Sequence, residues 1–109
     1  MIWELFVIKY FVRPMGIKLS GPELKLYKAI DEILWNDWDP IGINESNNRD
    51  EYYSYIPAIY ELGMSGSNKE LIAEKLSYYE TVEMDALGSK EKCLIVARKI
   101  VDTCNQIFD

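Results

Sequence analysis

The chain has 109 residues, of which 18 are acidic and 12 are basic, so its formal net charge is −6. That length is typical of one domain that buries its own core. The acidic balance argues against direct binding to nucleic acid, because phosphate contacts need Lys and Arg, and the absence of histidine from the sequence removes the commonest general base at neutral pH.

An apolar segment opens the chain. Nine of the eleven residues 2–12 are apolar or aromatic, interrupted by Glu4 and Lys9, and neither a helical nor a strand period is visible. Eleven residues are too few to cross a bilayer as a helix, and the segment lacks the features of an export signal. We therefore expect residues 1–19 to be an apolar extension, residues 20–109 to form a single helical domain, and the protein to be cytoplasmic.

The first predicted helix begins at Ser20, which forms a capping box with Glu23. Pro40 and Gly42 should end it. Its apolar residues recur at spacings of three and four and predict one buried face. They are Leu24, Tyr27, Ile30, Leu34 and Trp38.

A second helix is predicted over residues 50–63, with Pro57 kinking it or splitting it into two pieces. A second capping box, Ser67 with Glu70, predicts the start of the third helix. The proposed buried faces of these helices consist of Tyr52, Tyr55, Ile56, Ile59 and Leu62 in the second, and of Leu71, Ile72, Leu76, Tyr79 and Val82 in the third.

Residues 86–88 should break the chain before a last helix capped by Ser89. Its apolar stripe includes Cys93 and Cys104, which lie eleven residues or roughly 16 Å apart on one helix, too far for a disulfide. We expect buried thiols without a partner base, as suits a reducing cytosol. The whole pattern predicts an all-α compact bundle of four or five helices.

Charge is concentrated in residues 31–61, which carry eight acids and one base, for a local charge of −7. The same stretch contains two of the three Trp and four of the eight Tyr. Such a stretch is either a solvated face that maintains solubility or a surface that binds a basic protein. The concentration of acidic charge in one helix–loop–helix region favours a surface that binds a basic protein.

The run Trp-Asp-Pro-Ile-Gly at 38–42, followed by Asp-Glu-Tyr at 50–52 and Tyr-Ile-Pro at 55–57, resembles the YugE-like family of small helical bacterial proteins. The resemblance covers roughly residues 24–101. It implies an all-α fold and carries over no catalytic residue. Family members tend to have Met-Gly-Leu after the third helix, where this chain has Met-Asp-Ala-Leu-Gly at 84–88, so that turn is expected to be altered.

Two kinds of chemistry are alternatives to these interpretations. A carboxylate enzyme could use Asp37, Asp39, Asp50 or Glu51, but carboxylates beside loops are more often caps or solvated charges. A calcium loop would take Asp37, Asp39 and Gly42, but Ile41 and Asn48 stand where two further ligands are needed. We therefore expect no enzyme activity, no metal site and no cofactor.

The aromatic residues divide between core and surface. Trp35 and Trp38 are more readily explained by core packing than by an interface, although Trp35 is retained as a candidate anchor. Tyr53 should face outward, because it lies about 100° from Tyr52 on a helix. Tyr60, and one of Tyr78 and Tyr79, should face outward in the same way.

These observations favour an immunity protein, with no enzymatic role, that occludes the cleft of a basic nuclease toxin of the contact-dependent growth inhibition kind. The alternative is a bacterial adaptor or regulatory domain whose partner is unknown. Seven residues are the candidate contacts with the partner. They are Trp35, Asp37, Asp39, Glu45, Asp50, Glu51 and Tyr53.

Overall fold

Four α-helices make up most of the computed structural model, which describes residues 19–42, 49–66 and 68–108. We name them α1 (Gly21–Ile33), α2 (Ile56–Met64), α3 (Lys69–Tyr78) and α4 (Lys90–Phe108). The predicted all-α fold is confirmed for these ranges. The proposed extension, apart from Leu19, and the proposed contact Glu45 lie outside the described residues.

The N-terminus of α1 has the predicted capping box. The backbone N–H of Ser20 donates to Glu23 Oε1 (2.7 Å), and the backbone N–H of Glu23 donates to Ser20 Oγ (3.3 Å). These two bonds satisfy donors that the first turn of a helix leaves unpaired. The helix then widens into a π turn, Leu34–Trp38, which the sequence pattern did not predict.

The second predicted helix is split, as the position of Pro57 suggested. A 3₁₀ helix covers Arg49–Tyr55, and α2 begins at Ile56 with the proline in its first turn. Proline is tolerated there because its missing N–H would have no partner in the helix. The split leaves Tyr52 and Ile56 buried on the same side of the domain.

The start of α3 differs from the prediction by one residue. Asn68 is the N-cap, and its side chain accepts a bond from the backbone N–H of Leu71 (3.0 Å). The predicted burial of Leu71 and Val82 was also wrong, since they are 48% and 61% exposed. Leu71 precedes the fully buried Ile72, and adjacent residues on a helix point about 100° apart, so only one of the two can enter the core.

A second π turn, Tyr79–Glu83, extends α3, and a loop then leads to α4. Ser89 caps α4 as predicted, because its Oγ accepts from the backbone N–H of Lys92 (3.2 Å). In the loop, Asp85 (φ 52°) and Gly88 (φ 80°) adopt left-handed backbone conformations. Asp85 occupies the turn in which the sequence was expected to depart from the family pattern.

The core lies where α1, α2, α3 and α4 meet. Leu26, Ile30, Ile59, Ile72 and Ile100 are among its fully buried residues. In the described ranges, no helix combines the length and the apolar character needed to cross a bilayer.

Candidate functional site

The two π turns meet at a buried carboxylate. Trp38 ends the first π turn, and its Nε1–H donates to Glu80 Oε1 in the second (2.8 Å). The thiol of Cys93 donates to the same oxygen (3.2 Å), and the backbone N–H of Ser89 donates to Oε2 (3.0 Å). Glu80 is only 1% exposed. A buried carboxylate requires such donors, and here they join α1, α3 and the start of α4 into one junction.

This junction corrects one expectation about the cysteines. Cys93 was predicted to have no base beside it, but its thiol contacts the Glu80 carboxylate. Burial, and then the hydrogen bond to Glu80, raise the pKa of the Cys93 thiol to about 12. A thiol with a raised pKa stays protonated at neutral pH and is a poor nucleophile. The pair therefore acts as a hydrogen-bond donor and acceptor in the fold.

A second polar contact closes the end of α1. The hydroxyl of Tyr52 donates to Asp39 Oδ1 (2.7 Å), and burial followed by this bond raises the pKa of Tyr52 well above its usual value. Asp39 itself has a positive φ of 29°. The residue thus shapes the exit from the helix and holds the 3₁₀ helix against it.

Aromatic rings extend from this region to the surface. The ring of Trp38 packs on Tyr52 (5.4 Å between centroids) and edge-on against Tyr55 (5.9 Å). The ring centroid of Tyr55 in turn lies 4.4 Å from that of Tyr79, and the ring centroids of Tyr79 and Tyr78 are 6.1 Å apart. Tyr79 is buried and Tyr55 is half-buried, whereas Tyr78 is 46% exposed. The chain of rings therefore runs from the junction outward.

Two acidic side chains from different elements act electrostatically on these rings. Burial raises the pKa of Tyr55, and the negative charges of Glu83 and Glu51 add to that effect. Glu51 belongs to the 3₁₀ helix and Glu83 to the second π turn, and both are exposed. We call the set Glu51, Tyr55, Tyr78, Tyr79 and Glu83 the acidic–aromatic surface.

One cation of the protein already lies on the rings of this surface. The Nζ of Lys75 is 5.5 Å from the ring centroid of Tyr78 and 5.3 Å from that of Tyr79. Both distances are within the range of a cation–π interaction. The tyrosine faces are thus positioned to accept a positive charge.

The structure brings together only some of the proposed contacts. Glu51 belongs to the acidic–aromatic surface, and Asp39 is linked to it through Tyr52. Asp37 lies elsewhere and pairs with Lys99 of α4 (2.8 Å). The backbone of Asp50 belongs to the 3₁₀ helix, and its side chain is not among those that the structure describes.

Two aromatic candidates pack against the core. Trp35 is 6% exposed and packs edge-on against Tyr52 (5.9 Å), so it belongs to the core and is removed from the proposed contacts. Tyr53 is half-buried and packs against the core cluster. The prediction that Tyr60 faces outward was wrong, because it is fully buried with its ring 5.6 Å from that of Tyr27.

Sequence reasoning missed Glu83, Tyr78 and Tyr79 as parts of the site, because they lie beyond the acidic stretch of residues 31–61. Glu83 and the paired tyrosines could have been found only by placing the end of α3 beside the 3₁₀ helix. Within the described residues, no cluster of three or more potential metal ligands occurs.

No family model, curated protein or solved structure matches this chain.

Proposed function

We propose that the protein is a non-enzymatic binding protein for a basic protein partner. More narrowly, we propose an immunity protein that neutralises a nuclease toxin of the contact-dependent growth inhibition kind. The observation that carries this proposal is the acidic–aromatic surface. Glu51 and Glu83, from two separate elements, both act electrostatically on Tyr55, whose ring centroid lies 4.4 Å from that of Tyr79.

The chemistry of that surface matches a cationic partner. Carboxylates form charge-assisted hydrogen bonds with Lys and Arg, and tyrosine faces attract the same cations. A nuclease needs a basic cleft to hold the phosphate backbone. An acidic protein can occupy such a cleft, and opposite charge accelerates the encounter. The net charge of the whole molecule, −6, also favours a basic partner.

Two observations test the proposal. The gene should lie directly downstream of a toxin gene that encodes a nuclease domain. That nuclease domain, purified, should lose its cleavage of plasmid or tRNA when one equivalent of this protein is added, and the affinity should fall as salt is raised. Full nuclease activity in the presence of a tenfold excess of the protein would contradict the immunity function and leave the adaptor function as the better account.

A further inference from the structure

The loop between the second π turn and α4 holds one apolar side chain entirely in water. Leu87 is 101% exposed, the highest value among the large hydrophobic residues of the described ranges. Its neighbours are nevertheless fixed. The backbone N–H of Ala86 donates to the carbonyl oxygen of Glu80 (2.7 Å), and that of Ser89 donates to Glu80 Oε2 (3.0 Å).

The backbone of this loop is constrained on both sides of Leu87. Asp85 has a φ of 52°, a region that residues other than glycine adopt at a cost. Gly88 has a φ of 80°, and a Cβ at this position would lie 2.9 Å from Thr81 Cγ2 and 3.2 Å from Glu80 Oε2. The loop is therefore held in one conformation that places a leucine in solvent, where it contributes nothing to the core.

Leu87 follows Glu83, a member of the acidic–aromatic surface, by four residues in the chain. With Pro40, it lines a depression of about 360 Å³, which also contacts Glu80 and Lys92. Pro40 directly follows Asp39, which is bonded to Tyr52. On the other side, the exposed residues Glu83 and Asp85 precede the leucine in the chain. The depression therefore joins the exit of α1, at Pro40, to the loop that follows Glu83.

We propose that Leu87 is the apolar anchor of the partner interface and inserts into an apolar recess on the basic partner. Glu83 and Asp85 then pair with basic side chains at the rim of that recess. This inference rests on the proposed function. A pre-organised loop loses little conformational freedom when it binds, and transfer of a leucine side chain from water into an apolar recess is strongly favourable.

The test compares two truncations of exposed side chains. The affinity of the nuclease domain is measured by calorimetry for the wild-type protein, for Leu87→Ala and for Ile95→Ala. Ile95 is 64% exposed on α4 and is not part of the surface, so it is the matched control. We expect Leu87→Ala to weaken binding at least tenfold, Ile95→Ala to change it less than twofold, and Leu87→Met to restore most of the affinity.

The outcomes separate this inference from the proposed function. If the wild-type protein binds the nuclease domain and Leu87→Ala binds equally well, the anchor is disproved while the proposed function stands. If the wild-type protein does not bind, both fall. Both alanine variants should keep a melting temperature close to that of the wild type, because both side chains are mostly exposed to water. A shared loss of affinity in the two variants would also count against a specific anchor.

Discussion

Glu80 and Glu83 lie three residues apart in one π turn and have opposite environments. Glu80 is 1% exposed and accepts hydrogen bonds from Trp38, Cys93 and Ser89. Glu83 is exposed, and its charge raises the pKa of Tyr55 and Tyr79 further than their burial alone does. The acidic residues of this chain therefore differ in their environment and in their structural role. One carboxylate accepts hydrogen bonds inside the bundle, and the other is exposed to solvent.

The two environments are connected by the π turns. Leu34–Trp38 and Tyr79–Glu83 each extend an α-helix, and they meet at the bond between Trp38 and Glu80. Such wide turns are rare and are often found at functional sites. Here they fix the inner network, and the acidic–aromatic surface is built on its outer side.

The largest effect should come from truncating the inner carboxylate. Glu80→Ala leaves the indole N–H, the thiol and the Ser89 N–H without an acceptor in the core, so we expect a loss of about 3 kcal/mol in the free energy of unfolding. Urea unfolding measures it. Glu83→Ala is the matched control and should change stability by less than about 0.5 kcal/mol. Equal losses in the two variants would remove the distinction between inner and outer carboxylates.

A substitution in the loop tests whether the inner network also holds that loop. Gly88→Ala should cost about 2 kcal/mol, because it combines a positive φ with a Cβ that is crowded by Thr81 and Glu80. Gly66→Ala separates the two effects, since Gly66 has a φ of 76° but no atom near its Cβ position. We expect about 1 kcal/mol for Gly66→Ala by the same urea measurement. A cost at Gly88 no larger than at Gly66 would show that the loop does not pack on Glu80.

Alkaline pH should weaken the inner region through Cys93. Its pKa is raised from 9.0 to about 12 in the fold, so the unfolded chain loses the thiol proton first as pH rises. The stability linked to this group is therefore complete below about pH 9 and decreases toward pH 12. Between pH 8 and pH 10 the wild-type protein should lose about 1 kcal/mol more than Cys93→Ala.

Cys104→Ala is the comparison for this pH experiment. It keeps the contact between Cys93 and Glu80, and therefore should keep most of the wild-type slope of stability against pH. If Cys93→Ala retained the full wild-type slope, the buried thiol would not be the group that titrates.

The smallest effect concerns the outer region. Lys75 lies over the rings of Tyr78 and Tyr79, where a cation of the partner would bind. Lys75→Met should therefore strengthen binding of the nuclease domain severalfold, or by about 1 kcal/mol. Lys69→Met, in the first turn of the same helix, is the control for the change in net charge. If calorimetry showed the same gain in affinity for both variants, Lys75 would not compete with a cation of the partner for the tyrosine rings.

Local signals accounted for most of the fold. The capping box at Ser20, the split at Pro57 and the cap at Ser89 each depend on residues close in sequence, and each was predicted correctly. The π turns were not, because α and π turns have no clear difference in composition. Tyr60 was wrongly predicted to face outward. Its ring packs against Tyr27, a residue of another helix, and no local pattern indicates that contact.

The candidate site was harder to predict than the fold. The acidic stretch includes Glu51, which belongs to the acidic–aromatic surface, but it also includes Asp31, which is 2% exposed. The partner of Glu51 on the surface is Glu83, which is distant in sequence. A local charge sum cannot detect two carboxylates that are distant in sequence but act on the same tyrosine, Tyr55.

The most direct test is a pair of double charge reversals. Glu51→Lys with Glu83→Lys alters the acidic–aromatic surface, and Glu91→Lys with Asp102→Lys makes the same change in charge at two exposed positions of α4. Affinity for the nuclease domain is measured by calorimetry at low salt. The account predicts a loss of at least a hundredfold for the first pair and less than tenfold for the second. Equal losses would contradict it, because binding would then depend on net charge alone.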